Sequence, residues 1–110
     1  MNLISNQFNE IFEVISSSLF KDLKKDLFEL AVRYSRIRVD WILSDNEQRL
    51  EMEDSRTRCH NAFIDACNIL SRNMDNSGEN AEWREKLGND RKVIGDFACF
   101  IHYKLGIEAK

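Results

Sequence analysis

Apolar side chains recur every three or four positions along most of the chain, which is the period of an amphipathic helix. In the first segment Ile4, Phe8, Ile11, Phe12, Ile15 and Leu19 share one helical face. The run Ser16-Ser17-Ser18 interrupts it, and hydroxyls that compete for backbone hydrogen bonds place the first turn there. A second stripe runs through Leu23, Leu27, Leu30, Tyr34, Ile37 and Trp41 and closes at Ser44. Ser44-Asp45-Asn46-Glu47 matches a capping box, with Ser44 as cap and Glu47 reaching back, so a hairpin is expected at that point.

The third segment spans about Asn46 to Asn73, near 40 Å at 1.5 Å per residue. Its apolar side is Met52, Cys59, Phe63, Ala66, Cys67, Leu70 and Met74. Between residues 45 and 58 only Leu50 and Met52 are clearly apolar, so that half is either loosely anchored or held by salt bridges. Asp75-Asn76-Ser77-Gly78 reads as a turn. A short helix around Ala81–Leu87, carrying Trp83, is expected to end at Gly88. The last helix begins near Asn89 or Asp90, buries Val93, Ile94, Phe97, Ala98, Ile101 and Leu105, and is expected to stop at Gly106. The pattern predicts an all-α fold, an antiparallel bundle of four main helices with one extra short helix, occupying residues 1–110 as a single domain.

Composition agrees. The 110 residues contain no proline and four glycines, and both residue types are poor in helix interiors. The formal charge of −3 speaks against general nucleic-acid binding, which needs a basic surface. Charge is uneven, however. Residues 21–44 hold six basic and four acidic side chains, whereas residues 45–75 hold four basic and seven acidic. No apolar run approaches a membrane span and no signal peptide follows Met1, so a cytoplasmic protein is expected, without membrane insertion. Cys59, Cys67 and Cys99 lack the CxxC spacing of metal or redox motifs and read as free, small hydrophobes.

Candidate chemistry sits on the core side of the hairpin. Arg38 flanks the apolar face of the second helix, and Arg49 and Arg56 lie on the Met52 and Phe63 side of the third, with His60 one turn beyond. Asp90 continues the Val93–Phe97 stripe. Unpaired buried charge is costly, so such groups must snorkel, pair or bind a ligand. Internal contacts such as Arg49 on Trp41 and Arg56 on Tyr34 form one expectation. The other is an anion pocket in which Arg38, Arg49, Arg56 and His60 grip a phosphate or carboxylate, as in a small-anion-sensing regulator.

Asp26-x-x-Glu29 and Glu51-x-x-Asp54 offer a second constellation. The spacing resembles the ExxE…ExxD arrangement of MazG-type nucleotide pyrophosphohydrolases, with Asp26 in place of a glutamate. That resemblance implies a magnesium-dependent nucleotide hydrolase with Asp26, Glu29, Glu51 and Asp54 as metal ligands. All four project away from the apolar faces, where ordinary solvated charge belongs. Cys99-x-x-His102 puts two zinc-type ligands on one face, but two further ligands are not evident. No phosphate loop or nucleophile motif accompanies them, and no cofactor is expected.

Phe100 and Tyr103 form a second apolar stripe on the last helix, which either sits centrally in the bundle or packs on a second chain in a homodimer. The stretch Arg58-Cys59-His60-Asn61, Asn68-Ile69-Leu70, Leu87-Gly88-Asn89-Asp90-Arg91 and Ile94-Gly95-Asp96-Phe97 resembles a family of small bacterial all-helical proteins of unknown function, over residues 55–110. In size and helical plan the chain is also similar to bacteriocin immunity proteins, which implies action through a protein partner. The leading expectation is therefore a non-catalytic helical bundle, regulatory or immunity-like, that works by protein–protein interaction.

Overall fold

The computed structural model describes residues 3–108, with side chains described for residues 6–106, so the side chain of Ile4 lies outside the described ones. The chain forms α1 (Leu3–Ser16), α2 (Lys21–Leu43), α3 (Asn46–Asn76), the short α4 (Trp83–Leu87) and α5 (Arg91–Glu108). It is an all-α bundle of four main helices plus a short one, with no strand among the described residues.

α2 is the hub, and its main partners are α3 and α5. Its pairing with α5 is antiparallel, since Arg38 meets Asp96 and Ser35 meets His102. α5 runs in the same direction as α1 and α3: Phe8 packs on Phe97 and Phe100, and Phe63 packs on Phe97. A return segment is therefore needed between α3 and α5. Residues 77–90, including α4, supply it, and Arg84 fastens it to α3. Its guanidinium donates to Asn68 Oδ1 at 2.7 Å, the Gly88 carbonyl at 2.8 Å and Asn89 Oδ1 at 2.8 Å.

The first turn falls at the serines. Leu19 lies beyond the end of α1 and is exposed, because the helix stops before the 3.6-residue period can return it to the core. Lys24 caps the end of α1 by donating to the Ser16 carbonyl at 2.8 Å. The core joins Phe8, Phe12 and Ile15 of α1 to Leu27 and Tyr34 of α2, Phe63 and Leu70 of α3, and Phe97 and Ile101 of α5. Cys67 is fully buried there, and burial pushes its thiol up to about 12, only partly opposed by Arg84, so it behaves as an inert hydrophobe.

The hairpin between α2 and α3 is present, but its capping box is shifted by one residue. Asp45 is the cap, accepting from the Gln48 amide at 2.9 Å while Gln48 Oε1 accepts from the Asp45 amide at 3.1 Å. Ser44 is instead the C-cap of α2, and its hydroxyl donates to the Asp40 carbonyl at 2.6 Å. Asp45→Ala is expected to cost about 1 kcal/mol in urea unfolding, and Ser44→Ala distinctly less. The reverse order would make Ser44 the working cap.

α3 runs three residues further than expected and ends in a Schellman turn, with Glu79 N bonded to the Met74 carbonyl at 2.8 Å and Gly78 at φ 84°. α4 ends at Gly88, at φ 70°, as expected. Gly106 does not stop α5, which continues to Glu108. Asp90 does not extend the core stripe either. It is exposed and accepts from the Lys92 and Val93 amides at 2.9 and 3.1 Å, so its charge serves the first turn of α5. Phe100 packs inside against Phe8 and Phe12, whereas Tyr103 stays exposed, so the two residues do not form one buried stripe on α5.

Candidate functional site

Near the hairpin end, α2, α3 and the start of α5 converge on a cleft of about 380 Å³ lined by Tyr34, Arg38, Trp41, Ile42, Arg56, Arg91 and Lys92. The lining follows from the helical period. Tyr34, Arg38 and Trp41 are three or four residues apart on one flank of α2, and Arg91 and Lys92 open α5. Two of the four arginine and histidine candidates, Arg38 and Arg56, therefore line one cleft. The others flank it.

Arg38 reaches across to α5, where its Nη1 lies 2.8 Å from Asp96 Oδ1 and 3.6 Å from Cys99 Sγ. The approach passes over Gly95, where a Cβ would stand 2.8 Å from Arg38 Nε. Desolvation lowers the guanidinium's pKa, but the bonds to Cys99 and Asp96 outweigh it and the net shift is upward. Asp96 also accepts from Lys92 Nζ at 2.9 Å. Burial pushes this carboxyl up, and the Lys92 and Arg38 donors overcome it and hold the group below the usual carboxylate range.

Arg49 and Arg56 both lie over the ring of Trp41, their guanidinium carbons 4.4 and 4.1 Å from its centre. The expected Arg49–Trp41 stack is thus present, whereas Arg56 stacks on Trp41 and not on Tyr34. His60 occupies the Tyr34 position, edge-on at 5.5 Å. Arg49 is further committed to the end of α2, donating to the Trp41 and Ile42 carbonyls at 2.9 and 3.0 Å. Arg56 Nη1 meets Glu53 at 3.3 Å, and Arg91 approaches the same carboxylate at 3.9 Å. The sparsely apolar half of α3 is therefore held by ion pairs and stacking on Trp41. Two donors at the cleft, Trp41 Nε1 and Arg56 Nε, are buried without an acceptor, and His60 Nε2 beside it is buried without a hydrogen-bond partner.

Sequence reasoning missed Asp96, Glu53, Arg91 and Lys92, and it read Cys99 as a partner of His102 and not of Arg38. Two signals were present: Lys92 and Asp96 are four apart, an ordinary helical ion-pair spacing, and Gly95 leaves room for a side chain from a facing helix.

Asp26, Glu29, Glu51 and Asp54 are all exposed, and among the described residues no three acidic, histidine or cysteine side chains gather as a metal site would need. His102 sits 3.1 Å from Ser35 Oγ, and Cys99 faces Arg38, so that pair serves the α2–α5 contact. The uneven charge of α2 has a structural counterpart. Lys21, Lys24, Lys25, Arg33 and Arg36 surround a shallow groove floored by Phe28, Val32 and Leu105, with Glu29 as the acidic lining residue.

No known family model, curated protein or solved structure matches this chain, so the resemblances noted from the sequence bring no residue role to it. Among the described residues no helix is long and apolar enough to cross a membrane.

Proposed function

We propose that the chain is a non-catalytic binding protein that docks onto another protein through the end of the α2–α3 hairpin. One observation carries the reading. Val39, Ile42, Leu43 and Leu50 are 45, 54, 80 and 79% exposed, and these four, of the seven large apolar side chains exposed in the described residues, fall within a dozen positions at one end of the molecule. Scattered exposed leucines need no explanation, but a group around one turn is what a partner-binding surface presents. Val39 and Leu43 are four residues apart and share a stripe of α2. The three free cysteines suit a reducing compartment, so a cytoplasmic setting belongs to this reading.

The test is affinity capture from the source cells with wild type and a Leu43→Ser, Leu50→Ser variant in parallel. Both side chains are solvated, so the variant should fold with stability within about 0.5 kcal/mol of wild type. A partner recovered by wild type and lost by the variant is the expected result. Equal recovery by both would place the binding surface elsewhere.

The homodimer expected from Phe100 and Tyr103 now depends on this same end of the molecule, because Phe100 is packed inside. Light scattering addresses it directly. A mass of two chains that falls to the 13.0 kDa of one in the variant would make a second copy the occupant.

A further inference from the structure

We propose that the cleft between α2, α3 and α5 is a binding site for a phosphomonoester dianion. The charge balance is the first reason. Arg38, Arg56, Arg91 and Lys92 line it, and two carboxylates, Asp96 and Glu53, are paired with them. Four cations against two anions leave two positive charges in one recess, the complement of a phosphate carrying nearly two negative charges at neutral pH.

The second reason is direction. The cations come from three helices and from both sides of the cleft, which suits a tetrahedral anion with oxygens pointing several ways. A planar carboxylate would take a single guanidinium fork.

Third, two donors on side chains that line the cleft, Trp41 Nε1 and Arg56 Nε, are buried with no partner, although buried donors are nearly always satisfied. Finally, a recess of about 380 Å³ exceeds what inorganic phosphate fills, and Tyr34, Trp41 and Ile42 give the remainder an apolar side for the body of an ester. Arg49 is left out, because its donors are spent on the end of α2.

The site adjoins the docking surface at Ile42, but its test is separate, because Leu43 and Leu50 of the docking variant do not line the cleft. Inorganic phosphate, phenyl phosphate, succinate and chloride at matched ionic strength are titrated into the full chain. Binding is followed by calorimetry and by the indole N–H resonance of Trp41, assigned with Trp83→Phe. Phenyl phosphate is expected to bind most tightly, inorganic phosphate next, and chloride not measurably. Phosphate affinity should rise between pH 6 and pH 8 as the monoanion becomes the dianion.

Arg91→Gln with Lys92→Gln removes two exposed cations without touching the core, and should weaken phosphate by about tenfold or more. Glu53→Gln removes a competing carboxylate and should tighten it. Phosphate behaving like chloride, or a shift surviving unchanged in the Arg91, Lys92 variant, would overturn the site. Succinate matching phosphate would overturn the tetrahedral assignment. Loss of the protein partner in the Leu43, Leu50 variant with phosphate binding intact would separate the two proposals.

Discussion

Phe97→Ala is expected to remove about 3–5 kcal/mol of folding stability, the largest loss of any substitution considered for this chain. Phe97 is fully buried on α5, with its ring centroid 5.2 Å from Phe8 of α1 and 6.3 Å from Phe63 of α3. It is therefore the side chain through which three helices meet. Truncation forfeits the transfer energy of a benzyl group and leaves a cavity between elements that are also fixed elsewhere. α5 cannot simply close the gap, because its pairing with α2 is held by Arg38–Asp96 and His102–Ser35. A domain of this size has a total stability of about 5–15 kcal/mol, so the variant should sit near the edge of folding. Urea unfolding followed by circular dichroism measures it, with Ile69→Ala, on the outer face of α3, as the control near zero. A loss below about 1 kcal/mol would mean that the three helices are not joined at Phe97.

The helices were legible because burial obeys a period, and a period survives without knowledge of the partner. Phe8, Ile11, Phe12 and Ile15, or Phe63, Cys67, Leu70 and Met74, are buried because they repeat every three or four residues. What the period cannot supply is which helix faces which. The sequence suggests Arg56 on Tyr34, yet it lies on Trp41, nearer the turn, and His60 occupies the Tyr34 edge. Local rivalry between adjacent polar residues is likewise invisible to a motif. Ser44 and Asp45 both suit a cap, and the carboxylate took the position while the hydroxyl turned back to α2. Gly106 lies inside α5, where a glycine weakens a helix by only about 1 kcal/mol and need not end it.

The candidate site was half legible for the same reason. Arg38 and Arg56 announced themselves as cations on apolar flanks, a conflict with a local rule. Asp96, Arg91 and Lys92 broke no such rule, and only the packing of α5 on α2 brings them to the cleft.

Asp96→Asn is expected to cost about 1–3 kcal/mol at pH 7, and to lose that effect in acid. The carboxylate accepts from Arg38 at 2.8 Å and Lys92 at 2.9 Å. Lys92 is largely solvated and its contribution small. Arg38, four-fifths buried along its side chain beside Cys99, is the partner that cannot retreat to water. An amide keeps the shape and one acceptor but removes the charge, so the largely buried Arg38 is left with an uncompensated cation. The pH dependence follows from the direction of the shift. Asp96 is held below its usual value in the folded chain, so its stabilisation is complete above the unfolded carboxylate pKa of about 3.9 and is lost as pH falls through the lower folded value. Wild type and variant share every other titrating group, so the difference between their unfolding free energies isolates this one. It should stay level from pH 7 to about pH 5 and then shrink toward zero in strong acid. Adding Arg38→Met to Asp96→Asn should recover part of the loss, because the stranded cation goes with it. A difference that stays constant down to pH 3, or a double variant worse than the sum of its parts, would mean that the Arg38–Asp96 pair does not hold α5 against α2.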